Sequence, residues 1–149
     1  MKYQSSLTKD APRFRFRTAA LVLSALVLAV VAGLLIWFAP FYKLSRQWEA
    51  AQVTKNISAM EALYHWEGVD AESRQRLHWL LLQEFEYPLK SVRVVRWRDE
   101  GASDRWRPNL EPVAQLNVVF DNPEHFQVSF MIGRTAEGAC KLAVMVPKP

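Results

Sequence analysis

A single cysteine, Cys140, stands in a chain of 149 residues. That excludes an internal disulfide, and with it the small secreted folds that depend on a disulfide framework. Glycine is scarce as well: there are five, and no glycine-rich phosphate loop is formed. The three histidines, His65, His78 and His125, never fall three or four positions apart, and neither C-x-x-C nor an Asp-rich calcium loop occurs. His65 and His78 meeting across two helices, with Glu67 beside them, is the one arrangement with metal-ligand potential; histidines at helix ends are the commoner case. Glu84 with Glu86 and Asp99 with Glu100 read as solvated faces rather than an acid–base pair, and Cys140 as an inert thiol. No catalytic residue, metal or cofactor is expected.

The most consequential absence is of charge. From Thr18 to Ala39 (TAALVLSALVLAVVAGLLIWFA) there is no charged residue over 22 positions. At 1.5 Å per residue such a helix reaches about 33 Å, enough to cross a hydrocarbon core of about 30 Å. A cleaved signal peptide has a shorter apolar centre and ends in small residues, whereas this run passes into Trp37, Phe38, Pro40, Phe41 and Tyr42. An uncleaved transmembrane anchor is expected, with Trp37, Phe38, Phe41 and Tyr42 at one membrane interface and Arg13, Arg15 and Arg17 at the other. Ala29 and Gly33 form only a poor dimerisation motif.

Basic residues set the orientation. Lys2, Lys9, Arg13, Arg15 and Arg17 precede the run, against Lys43, Arg46 and Lys55 after it, so the amino terminus is expected in the cytoplasm and residues 40–149 in the periplasm or its equivalent. The chain's 19 Lys and Arg less the five of the tail leave 14, and its 15 Asp and Glu less Asp10 also leave 14. The net charge of +4 therefore belongs to residues 1–17, a tail suited to anionic lipid. The remainder is neutral, which argues against a nucleic-acid partner.

Residues 40–149 are the size of one small domain. Phe41, Leu44, Trp48, Val53, Ile57, Met60 and Tyr64 predict an amphipathic helix from about Phe41 to His65, with Pro40 as its start or a bend. Asn56-Ile57-Ser58 fits a glycosylation sequon, but a mid-helix site favours coincidence. Asp70 caps a second helix whose apolar face is Leu77, Leu80, Leu81 and Phe85 and which stops before Pro88. The period then changes to two. Val92 and Val94 oppose Val95 and Trp97, a slip at Val94-Val95 that reads as a bulge or as a strand buried on both faces. A polar loop from Asp99 to Pro112 follows, then strands over Ala114–Phe120, Phe126–Ile132 and Leu142–Val146. Two helices on one face of a four-stranded, mainly antiparallel sheet make an α+β domain.

This order of elements resembles the cystatin-like and NTF2-like superfolds. His65-Trp66-Glu67-Gly68-Val69-Asp70, Leu89-Lys90-Ser91-Val92 and Arg107-Pro108-Asn109-Leu110 are similar to segments of uncharacterised membrane-anchored bacterial domains. The resemblance implies helices set in the concavity of a meander and brings no catalytic residue. It also extends to the inner-membrane assembly proteins of type IV secretion systems.

One cluster remains. Arg93, Arg96, Arg98, Arg105 and Arg107 are interleaved with Trp97 and Trp106, and such residues are enriched at the centres of protein interfaces. Indoles covering a core beside arginines on a wet strand face account for the pattern equally well. Trp97, Arg98, Arg105, Trp106 and Arg107 are the candidate protein interface. The expected role is a non-catalytic accessory or scaffold subunit of a membrane complex, in contact with lipid and with other membrane subunits. The alternatives are a small-ligand pocket or enzyme of NTF2-like shape and an assembly component of a secretion system.

Overall fold

The computed structural model describes residues 11–98, 103–123 and 126–148, with side chains from residue 20 onward. The chain forms two compact units, Met1–Phe38 and Ala39–Pro149. Helix α1, Ala11–Val53, contributes to both. Within the first unit its apolar side chains are exposed, Ile36 at 75%. By length and composition this is one helix long and apolar enough to cross a membrane.

The expected helix from Phe41 to His65 does not exist as one piece. Pro40 lies inside α1, which continues to Val53. There the Lys55 N–H donates to the Gln52 carbonyl at 3.2 Å and the Asn56 N–H to the Ala51 carbonyl at 2.9 Å. With Lys55 at φ 52°, these two bonds make the left-handed helix stop usually built on glycine. Asn56 then starts α2, Ile57–Glu61, by accepting from the Ala59 N–H at 3.0 Å. Helix α3, Ala71–Glu84, begins as expected: Asp70 accepts from the Ser73 N–H at 2.8 Å.

Four strands form an antiparallel sheet in the order β1-β3-β4-β5: β1 Leu89–Arg96, β3 Pro112–Phe120, β4 Gln127–Arg134 and β5 Cys140–Leu142. The protein is therefore α+β, with two shorter helices after the long apolar one. Two further strands, β2 Trp106–Pro108 and β6 Met145–Pro147, pair as a separate ribbon. β2 lies inside the expected polar loop. β6 is the second half of the expected last strand, which breaks at Ala143-Val144 because Asn109 takes over that backbone: its N–H donates to the Val144 carbonyl at 2.9 Å and its Oδ1 accepts from the Val144 N–H at 2.8 Å. The Asn109 amide NH2 also donates to the carbonyls of His65 and Glu67, at 2.7 and 2.9 Å. One side chain thus ties the ribbon to the loop after α2.

The register of β1 on β3 is regular from Ser91 to Arg96, and the irregularity falls at Leu89/Ser91, not at Val94-Val95. Val94 turns to the core and Val95 is simply an exposed valine on the other face. Ala114, Leu116, Val118 and Phe120 of β3 are buried against Phe41, Leu44 and Trp48 of α1, Met60 of α2 and Leu81 of α3. Each full burial of a large apolar side chain contributes about 1.5–3 kcal/mol, so this one face carries the fold.

The two edges of the sheet differ. Leu63–His65 runs along β5, with the Leu142 N–H donating to the Leu63 carbonyl at 2.8 Å and the His65 N–H to the Leu142 carbonyl at 2.9 Å. The Lys141 ammonium adds a bond to the Ala62 carbonyl. Along β1, no strand pairs with the outer edge among the described residues.

Candidate functional site

The five interface residues anticipated from the sequence fall on two elements. Trp97, half-buried, and Arg98, exposed, directly follow β1; Arg105, exposed, leads into β2, which carries Trp106 and Arg107. Asp99 and Glu100 lie outside the described residues. Opposite β2 stands β6, in the register Trp106↔Pro147, Arg107↔Val146 and Pro108↔Met145. Side chains alternate along a strand, so Trp106 and Met145 share one face of the ribbon and Arg107 and Val146 the other. Val146 is buried, which turns Trp106 and Met145 outward.

There they meet α3. Leu77 and Leu80 line a groove of about 460 Å³ with Trp106, Val144 and Met145, flanked by Ser73, Arg76 and Ser103. Trp106 is 43% exposed, Leu80 49%, and Trp79 next to it on α3 60%. The sequence assigned Leu80 to the core-facing stripe; in the structure Leu81 and Phe85 fill the core and Leu80 faces the groove. Three consecutive leucines, Leu80 to Leu82, exceed what one stripe accommodates, and that was the available signal.

A second cluster is interior and polar. Trp48 and Gln52 stand one turn apart on α1, and the Gln52 amide donates to the Glu84 carbonyl at 2.8 Å. Trp48 and Tyr64 both pack on Phe130, with ring centroids 5.8 and 6.3 Å away. Trp48 Nε1, Gln52 Oε1, Tyr64 OH and Glu84 Oε2 are buried with no hydrogen-bond partner among the described residues. Burial pushes the Glu84 carboxyl up to about 7. Burial first, then the Glu84 charge, pushes the Tyr64 hydroxyl well above its ordinary value. Such groups are costly unless something satisfies them. Nothing local in the sequence signals this set, because its members are brought together only by tertiary packing.

The histidines go to separate carboxylates: His65 Nε2 lies 3.4 Å from Glu67 Oε2, and His78 Nδ1 2.8 Å from Glu61 Oε1. His125 lies outside the described residues. No three His, Cys, Asp or Glu side chains converge on a metal position among the described residues. Burial pushes the half-buried Cys140 thiol up, with Arg134 opposing, so at neutral pH the thiol stays protonated and a poor nucleophile.

Of the residues grouped at the membrane interface, Trp37, Phe38 and Tyr42 are exposed, while Phe41 is 3% exposed in the core, with the Arg134 guanidinium 5.0 Å from its ring centre. Arg13, Arg15 and Arg17 lie on α1, and their side chains fall outside the described residues. No protein-family model matches the chain, and no curated protein matches it.

Proposed function

We propose that this protein is a non-catalytic accessory or scaffold subunit of a larger membrane complex, anchored once through the apolar half of α1, with its amino terminus in the cytoplasm and its α+β domain on the far side. The observation that carries the reading is the pairing of an apolar helix exposed on all sides with a folded unit that leaves Leu80, Trp106 and Met145 uncovered around one groove. Contiguous exposed apolar surface of this kind marks a place where another molecule sits. Arg76, at the groove, supplies a polar fork typical of such surfaces. Solubilisation of native membranes in mild detergent, followed by affinity capture and mass spectrometry, tests it. Stoichiometric co-purifying membrane subunits are expected, and their yield should fall with Trp106→Ala. A protein recovered in the soluble fraction, or as a partnerless monomer, would refute it.

The interior polar set favours a second reading, a small-ligand site of the NTF2-like kind between helices and sheet. Trp48, Gln52, Tyr64 and Glu84 would supply two donors and two acceptors to a small polar molecule. Native mass spectrometry of the purified chain that finds no bound small molecule removes this reading.

A further inference from the structure

The covered edge at β5 and the open edge at β1 pose a question of use. β1 is eight residues long, as long as β4, and its free edge carries a row of backbone N–H and C=O groups. Lys90, Arg93 and Arg96 lie on it and Arg98 follows; all four are exposed, and no acidic residue occurs from Pro88 to Arg98. None of the four forms an ion pair among the described residues. The two faces at this edge differ. Val92 and Val94 pack against the core but are only partly covered. On the opposite face Arg93 stands beside Asn117, and Asn117 accepts from the Ser129 hydroxyl at 3.0 Å, a polar row across three strands.

We propose that the β1 edge is a docking strand for an extended acidic segment of a partner subunit, which adds to the sheet as a fifth strand. The occupant follows from the charges. Basic side chains opposite basic ones destabilise a strand pair, and acidic ones opposite them stabilise it. A second copy of β1 is therefore disfavoured, and an acidic strand is selected. The register specifies its pattern: apolar residues beside Val92 and Val94, an acidic residue beside Arg93 on the opposite face, and a second acidic residue beside Arg96, which ends the Val92 and Val94 face. Cations on an exposed edge also serve to block indiscriminate strand addition. Here the same charges reject basic strands and admit acidic ones, with backbone bonds giving affinity and side chains giving choice. The inference rests on the scaffold reading above and names the chemistry of one of its contacts.

The test uses the full chain in detergent and a fluorescent ten-residue peptide of valine and glutamate, with glutamate set opposite Arg93 and Arg96 and valine opposite Val92 and Val94, followed by anisotropy. Saturable binding is expected, weaker by tenfold or more when salt rises from 50 to 500 mM. Methylating alternate peptide nitrogens leaves charge and shape but removes the strand bonds, and should cost tenfold or more. Lys90→Glu, Arg93→Glu and Arg96→Glu together, with the circular dichroism unchanged because all three side chains are exposed, should reverse the preference toward a valine–lysine peptide. No binding, equal binding of the methylated peptide, or equal binding of the lysine peptide to the unaltered protein overturns the proposal. Peptide binding without any co-purifying subunit from native membranes would refute the scaffold reading alone. Subunits that co-purify equally with the triple variant would refute the edge and leave that reading intact.

Discussion

Between Leu21 and Phe38 the apolar side chains of α1 stand exposed on every side, whereas from Phe41 to Gln52 the buried positions Phe41, Leu44, Ser45, Trp48, Ala51 and Gln52 follow one another at three and four residues along a single stripe. Both stretches belong to one helix, and both are rich in bulky residues. What separates them is arrangement. The first has no polar face to turn to water and is long and apolar enough to cross a membrane. The second has one, and its apolar stripe is satisfied by the sheet. The stripe also buries a serine and a glutamine: Ser45 bonds back to the Tyr42 carbonyl at 2.9 Å, and Gln52 reaches across to α3.

Charges placed in each half break the comparison most forcefully. Leu28→Arg with Val31→Arg should abolish membrane retention, at about 3 kcal/mol for each charge at mid-span, read by alkaline carbonate extraction. The domain should still fold. Trp48→Ala should do the reverse, keeping the protein in the membrane while lowering domain stability by about 3–5 kcal/mol in a urea titration. Should both variants fail in the same assay, the two halves are not independent.

Protonation sharpens the same contrast. Glu84, beside the buried stripe, has its folded value raised to about 7, above that of the unfolded chain. The fold therefore binds the proton more tightly. Its stability is fully present below the ordinary carboxylate range and is lost as pH rises through about 7, by up to about 3 kcal/mol. Melting at pH 5 and pH 8 should show the loss, and Glu84→Gln should flatten it. Asn109→Ala should cost about 1–3 kcal/mol, since it strands the His65 and Glu67 carbonyls and the Val144 N–H together. The smallest change is Leu35→Ala, in the exposed half, which should move the domain's urea midpoint by less than about 0.5 kcal/mol equivalent.

Much of this architecture is legible in the chain. The alternation from Ala114 to Phe120 gave the central strand and its inner face, and Asp70 gave the start of α3, because each signal is local. The break after α1 was hidden because Lys55 holds the backbone angle that glycine usually advertises. The division of the last strand was hidden because its cause, Asn109, lies more than thirty positions away and acts through a side chain. Of the candidate surface, Trp106 was found from composition, but its neighbours Leu77, Leu80 and Met145 come from elements that only the folded register brings beside it. The uncovered β1 edge is a matter of strand order, which alternation alone does not encode.

The ribbon of β2 and β6 has only three residue pairs, and its tie to the rest of the backbone runs through the Asn109 amide and the Ala143 N–H bond to Met131. So short a ladder opens independently and cheaply, at a free energy well below that of global unfolding. In deuterated solvent its amides, Arg107 and Val146 among them, should exchange long before those of Leu116 and Val118. The groove that Trp106 lines is thus mounted on one of the domain's shortest ladders, and any molecule seated there would register first as a slowing of exchange at those few positions.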